Sequence, residues 1–290
     1  MIKKVLLFIL IALFIMGCGS NTSKQGKLKT AASFFPMAEF TRAVGGDLVD
    51  VETLVPDGVE PHDWEPSPRD LTRLGKAQIF VYNGFVESWS DAALEALSER
   101  KITALEAGQN LCKISGRLDP HVWVSPAKAL LEVERITETF CKVDPQHAER
   151  YKSNSQKYCQ ELQKLDRELK ELSKTAKHKK FITAHAAFGH LAADYDLEQL
   201  AIAGISPEAE PTPKDLQKLV RLVKQEQVKY IFMETLASPK LTELIAKETG
   251  AKILVLDPLE GLDEEGRQLK LTYLKIMQNN IKNLRRALNE

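Results

Sequence analysis

Short apolar runs alternate with amphipathic stretches from residue 28 to the end of the chain. Runs at 29–35, 48–55, 79–82 and 102–105 are bounded by turn residues and predict strands, while 36–44, 68–76 and 88–98 carry helical spacing. The alternation resumes with strands predicted at 180–184, 199–202, 230–233 and 253–256, and helices at 187–195, 213–225, 239–249 and from about 266. Strands separated by helix-length segments imply parallel sheets covered by helices, so the chain reads as α/β, with two (β/α) sandwich lobes of similar size.

A different pattern lies between the lobes. A helix is predicted at 126–141, and from Gln146 to Lys174 there is no Gly and no Pro. Tyr151, Tyr158, Leu162, Leu165, Leu169 and Leu172 fall on one helical face among many Lys and Glu, which predicts a single long amphipathic helix. Asp144 suits its N-cap, with Pro145 in the first turn. About thirty residues of helix span roughly 45 Å, enough for a rigid strut between the lobes; an ordinary long helix folded into one core fits the same spacing. The expected organisation is a first lobe at 28–143, a linker helix at 144–176 and a second lobe at 177–290.

The N-terminus has its own pattern. Lys3 and Lys4 precede an apolar run from Val5 to Met16 that is too short for a comfortable membrane span and ends at Gly17-Cys18. This is the layout of a signal peptide at 1–17. Ile15-Met16-Gly17-Cys18 resembles a bacterial lipobox, which implies that Cys18 is lipidated and that 18–27 is a polar tether to a membrane outside the cytoplasm.

Charge and cysteine content narrow the function. Lys plus Arg equals Asp plus Glu at 40 each, so no overall field attracts nucleic acid. Beyond Cys18 the chain has Cys112, Cys141 and Cys159, none in a Cys-x-x-Cys spacing, which leaves one disulfide or three buried thiols open.

Three of the six histidines share one topological address. His62 lies on a proline-bounded loop after a strand, His121 lies between Pro120 and Trp123 just ahead of a helix, and His185 ends the strand at 180–184. Open α/β sheets bind ligands at the carboxyl ends of their strands, and neutral imidazole is the commonest protein ligand for zinc. His147 sits in the first turn of the charged helix, His178 is surrounded by lysines, and His190 falls on a different face of its helix from His185, so these three are expected to be solvated or packed. A fourth ligand is expected after the strand at 253–256, where Asp257 and Glu260 both offer carboxylates. Three imidazoles and one carboxylate suit tetrahedral Zn2+ better than Mn2+. Glu60 and Asp63 are placed to orient a histidine ring.

These segments carry a resemblance. Val55-Pro-Asp-Gly, Pro61-His-Asp-Trp-Glu-Pro-Ser-Pro-Arg-Asp, Asn83-Gly-Phe-Val-Glu-Ser-Trp, Asp119-Pro-His-Val-Trp, Thr183-Ala-His-Ala-Ala-Phe-Gly-His, Gly204-Ile-Ser-Pro-Glu-Ala-Glu-Pro-Thr-Pro and Asp257-Pro-Leu-Glu-Gly-Leu occur in that order. Together they resemble the zinc/manganese-type metal-binding lipoproteins, the extracytoplasmic solute-binding proteins of ABC transporters. The resemblance implies two lobes joined by a backbone helix, with the ion in the cleft held by His62, His121, His185 and a carboxylate that aligns with Asp257 in some relatives and Glu260 in others. The chain lacks the His-rich loop that many zinc members carry between the first two histidines, whereas His185 stands where manganese members often have Glu. His190 stands where relatives usually have an aromatic residue.

The function expected from the resemblance is capture of Zn2+ by a monomeric, membrane-anchored protein without enzymatic activity, and delivery of the ion to the permease and ATPase subunits of an ABC transporter. Uptake of Mn2+ or Fe2+ is the alternative. A zinc hydrolase with three histidine ligands, a bound water and Glu60 or Glu260 as general base is the more remote one. A surface adhesin has no sequence feature of its own.

Overall fold

The computed structural model describes residues 26–207 and 212–290. The expected signal peptide, Cys18 and most of the tether lie outside the described residues, as do residues 208–211 of the segment that begins at Gly204.

The first sheet is built from β1 (Leu28–Ala32), β2 (Val49–Thr53), β3 (Ile79–Tyr82) and β4 (Thr103–Glu106), all parallel, in the order β2-β1-β3-β4. All four residues of β3 are buried, as a central strand covered on both faces requires. Helices α1 (Phe35–Gly45), α2 (Pro68–Leu74) and α3 (Ser90–Ala96) make the crossovers. Ser67 starts α2 with a capping box, its hydroxyl accepting from Asp70 N while the Asp70 carboxylate accepts from Ser67 N. A hairpin absent from the sequence expectation follows, β5 (Lys113–Ile114) and β6 (Arg117–Leu118). Ser115 and Gly116 both have positive φ, at 50° and 81°, which a two-residue turn between twisted strands favours. The hairpin delivers the chain to Asp119 and His121, and α4 (Pro126–Val143) then crosses the lobe.

Helix α5 (Ala148–Thr175) starts after a short 3-10 turn at Pro145–His147. Asp144 does not cap it: its carboxylate accepts instead from Tyr151 OH at 2.6 Å and His147 Nδ1 at 2.7 Å. His147 is therefore tethered rather than freely solvated. Tyr151, Leu162, Leu165, Leu169 and Leu172 are buried against α1, α4 and the C-terminal helix, each leucine contributing about 2 kcal/mol of apolar burial. One apolar core runs from Phe34 and Trp123 of the first lobe through this helix to Phe181, Phe188 and Tyr273 of the second. The linker is thus a core element along its length.

The second sheet repeats the first. Strands β7 (Lys180–Thr183), β8 (Glu198–Ala201), β9 (Tyr230–Met233) and β10 (Lys252–Val255) are parallel in the order β10-β9-β7-β8, the same second-first-third-fourth arrangement. Helices α6 (Gly189–Asp194), α7 (Pro213–Gln225) and α8 (Lys240–Thr249) join them. The closing helix is two helices, α9 (Glu264–Gln268) and α10 (Tyr273–Asn289). Asp263 caps α9 through Gly266 N at 2.7 Å, Lys270 takes a left-handed φ of 50°, and Thr272 caps α10, so the chain turns between them. Cys112, Cys141 and Cys159 are free thiols. No described helix is long and apolar enough to cross a membrane.

Candidate metal centre

The loops at the carboxyl ends of the strands converge between the two sheets. His62 follows β2, His121 follows the β5–β6 hairpin, His185 follows β7 and Glu260 follows β10. One donor atom from each lies within 4.8 Å of every other. His62 Nε2 is 3.1 Å from His121 Nε2, and Glu260 Oε1 is 3.3 Å from His62 Nε2, 3.3 Å from His121 Nε2 and 3.5 Å from His185 Nε2. Four donors at about 2.0–2.1 Å from a tetrahedral zinc ion stand about 3.3 Å apart, so these spacings are close to the edges of such a tetrahedron. His121, His185 and Glu260 are buried, and neither His185 Nε2 nor Glu260 Oε1 has a hydrogen-bond partner among the described residues. Buried polar atoms are mostly paired in folded proteins, and these two orphans face one point, as donors to a bound cation would.

Two carboxylates set the rings. Asp119 Oδ1 accepts from His121 N at 3.0 Å and His121 Nδ1 at 2.8 Å. Glu234, just past β9, repeats the device on His185, accepting from its backbone N at 2.9 Å and its Nδ1 at 2.5 Å. Each clamp places the ring proton on Nδ1 and turns Nε2 toward the cluster. Neither residue was assigned a role from the sequence; Glu234 nevertheless sits at the carboxyl end of a predicted strand, the same address that singled out His185. The two residues expected to orient a ring do not. Glu60 Oε1 accepts from His62 N at 3.2 Å, fixing backbone, and Asp63 is exposed with no hydrogen bond or ion pair among the described residues. Pro61 and Pro66 bound the loop, on which Asp63 faces solvent.

Asp257 and Glu260 separate cleanly. Asp257 Oδ1 accepts from Leu259 N at 2.7 Å and Oδ2 from the Thr235 hydroxyl at 3.2 Å, while Asn280 holds its backbone at 2.9 and 2.7 Å. Its carboxylate therefore shapes the turn. Leu259 takes a left-handed φ of 61°, unusual for a buried leucine, and this swings Glu260 into the cluster.

The electrostatics follow from the pairing. Burial alone would keep His185 neutral, but its hydrogen bond to Glu234 and the negative charge of nearby Glu260 outweigh burial and raise its pKa to about 10. His121 is raised in the same sense, against burial, by Asp119 and Glu260. Burial would raise the Glu260 carboxyl, but the three imidazoles facing it override burial and hold it well below the carboxylate range. Burial, then the Glu260 charge, push Glu60 up to about 8, and burial pushes Asp257 up to about 7. Cations binding here must displace protons from tightly held imidazoles.

His190 is buried, as expected, yet its Nε2 donates to the Asp119 carbonyl at 2.8 Å. Further bonds cross between the lobes: Trp123 Nε1 donates to Pro258 O at 2.7 Å, Tyr273 OH to Trp123 O at 2.6 Å, and Ser125 Oγ to Asp194 Oδ2 at 2.6 Å.

A two-lobed α/β fold with a buried three-histidine, one-carboxylate cluster in its cleft defines a solute-binding protein for a metal ion. Residues 31–287 match the family described as zinc-uptake complex component A, periplasmic, and the chain belongs to that family, ZnuA. It is 38% identical over 308 residues to the high-affinity zinc uptake system protein ZnuA of Bacillus subtilis (strain 168), covering 97% of each chain. It is 36% identical to the zinc-binding lipoprotein AdcA of Streptococcus pneumoniae, of which it spans 62%. Among solved structures, the Zn(II)-bound ZnuA-like domain of Streptococcus pneumoniae AdcA superposes with a TM-score of 0.82 at 39% identity, covering 91% of this chain and 100% of that one. The laminin-binding protein Lmb of Streptococcus agalactiae, described as having adhesin and metal-transporting activity, gives a TM-score of 0.82 at 35% identity, covering 91% of this chain and 100% of that one.

Proposed function

We propose that this chain captures Zn2+ outside the cytoplasm through His62, His121, His185 and Glu260 and hands it to the permease of an ABC transporter. The observation that carries the reading is the spacing of the four donors, 3.1 to 3.5 Å between the measured pairs, with all four supplied by protein. A hydrolytic zinc keeps one position for water, and Glu260 fills that position, which favours carriage over catalysis. Three nitrogens and one oxygen favour Zn2+ over Mn2+ or Fe2+.

The rest of the assembly follows the same reading: lobes at 28–143 and 177–290 joined by 144–176, a lipid on Cys18 as anchor, a monomer in solution, and partner permease and ATPase subunits. The test is competitive titration of the purified protein with Zn2+ and Mn2+, repeated for Glu260→Gln and Asp257→Asn. Tighter zinc than manganese, lost at least about a hundredfold in Glu260→Gln and kept within about threefold in Asp257→Asn, supports the assignment. Equal loss in both variants, or a preference for manganese, refutes it.

A further inference from the structure

His190 makes no hydrogen bond to any of the four donors among the described residues and its Nδ1 is buried without a partner, yet its other ring nitrogen makes a polar contact where a packing residue would need only shape. It occupies the first turn of α6, fully buried, with Nε2 on the Asp119 carbonyl at 2.8 Å. Burial keeps the ring neutral, and the direction of the bond places its proton on Nε2. Beside it, Gly189 lies so close to the Asp119 carboxylate that a Cβ would collide with it. Asp119 is the residue that clamps both the backbone and the ring of His121.

The segment that carries His190 also carries His185. That segment is rigid: His185 O accepts from Thr183 Oγ1 at 2.7 Å and Gln199 Nε2 at 2.9 Å, and Ala186 N donates to Gly204 O at 2.8 Å. At the far end of α6, Asp194 accepts from Ser125 Oγ at 2.6 Å and Lys128 Nζ at 2.5 Å. Helix α6 is therefore fastened at both ends to the first-lobe segment that carries His121. A hydrocarbon aromatic ring at 190 would fill the space and leave the Asp119 carbonyl without this donor.

We infer that His190 is a positioning residue of the metal centre: by holding Asp119 across the cleft it locks the His121 segment onto the His185 segment, so that both rings keep their ligand spacing before an ion arrives. The inference rests on the zinc-binding reading above and concerns how tightly that site is preformed. Rings that must be gathered by the ion draw on binding energy to order them, whereas rings held in place do not.

The test uses the mature protein with His190→Phe, which keeps an aromatic ring and removes the donor, and His190→Gln, which keeps an N–H. Zinc affinity is read by competition with a chromophoric chelator, zinc loss by transfer to EDTA, the ligand field by the visible spectrum of the Co2+ form, and folding by thermal unfolding. His190→Phe is expected to bind zinc about tenfold more weakly and to alter the Co2+ bands, while His190→Gln stays within about threefold of wild type. Wild-type affinity and an unchanged Co2+ spectrum in His190→Phe overturn the inference. So does an equal loss in both variants, or a fall in unfolding temperature without any spectral change, since either assigns His190 to packing. Failure of the wild-type protein itself to bind zinc overturns the zinc-binding reading instead.

Discussion

Glu234→Gln separates the two things that Glu234 does to His185. The carboxylate accepts from both the backbone N and Nδ1 of His185, and with Glu260 it raises that ring's pKa to about 10. A glutamine offers one acceptor oxygen and no charge. Hydrogen bonds to charged groups contribute about 1.5–3 kcal/mol, so zinc affinity at alkaline pH, where protons no longer compete, should fall by roughly tenfold to a hundredfold. At neutral pH the fall should be smaller. Wild-type protein at pH 7 lies below the raised pKa of His185, so binding must expel that proton, and the variant, lacking the Glu234 charge, should expel fewer protons. Calorimetry at pH 7 in two buffers of different ionisation enthalpy counts those protons, and a competition series from pH 6 to 9 gives the affinities. An unchanged proton count, or an affinity ratio that does not widen with pH, would mean that Glu234 does not set the proton affinity of His185.

Three other perturbations test the frame around the site. Glu132 is fully buried with neither carboxylate oxygen bonded among the described residues, and burial raises its pKa to about 8 from 4.5. The folded state therefore binds its proton more tightly than the unfolded one, and the stability it allows below pH 4.5 is lost as pH rises toward 8. Glu132→Gln should unfold at a higher temperature than wild type, with the gap wider at pH 8 than at pH 5 by up to a few kcal/mol; a gap independent of pH counts against this. Leu165→Ala, at the buried face of α5, should destabilise by about 2–5 kcal/mol in denaturant titration, whereas an exposed strut would lose almost nothing. Gly189→Ala should displace Asp119 and weaken zinc binding by about tenfold in chelator competition, and unaltered binding would mean that the contact yields freely.

Much of the architecture was legible because periodicity reports burial directly. Residues 79–82, 213–225 and 230–233 emerge with the bounds read from the pattern. The break between α9 and α10 was hidden because an amphipathic spacing continues through Leu269 to Leu274, and the left-handed Lys270 and the cap at Thr272 interrupt it. The hairpin at 113–118 was too short to show alternation. Within the cluster, the histidines were visible through their shared address at strand ends. The choice between Asp257 and Glu260 was not, because it depends on the left-handed backbone of Leu259, which composition does not encode. The clamps differ again. Asp119 is close in sequence to its histidine, but Glu234 reaches His185 across 49 positions, a pairing that exists only once β7 and β9 lie side by side. Asp63 misled for the opposite reason, since proximity in sequence to His62 says nothing about which side of the loop it faces.

The most direct measurement of the central claim is X-ray absorption fine structure on the zinc-loaded protein, read together with anomalous diffraction from its crystals. One zinc per chain is expected, with three imidazole nitrogens and one carboxylate oxygen at about 2.0–2.1 Å, supplied by His62, His121, His185 and Glu260. Zinc held by fewer than three of these histidines, or with Asp257 or a water in place of Glu260, would contradict it.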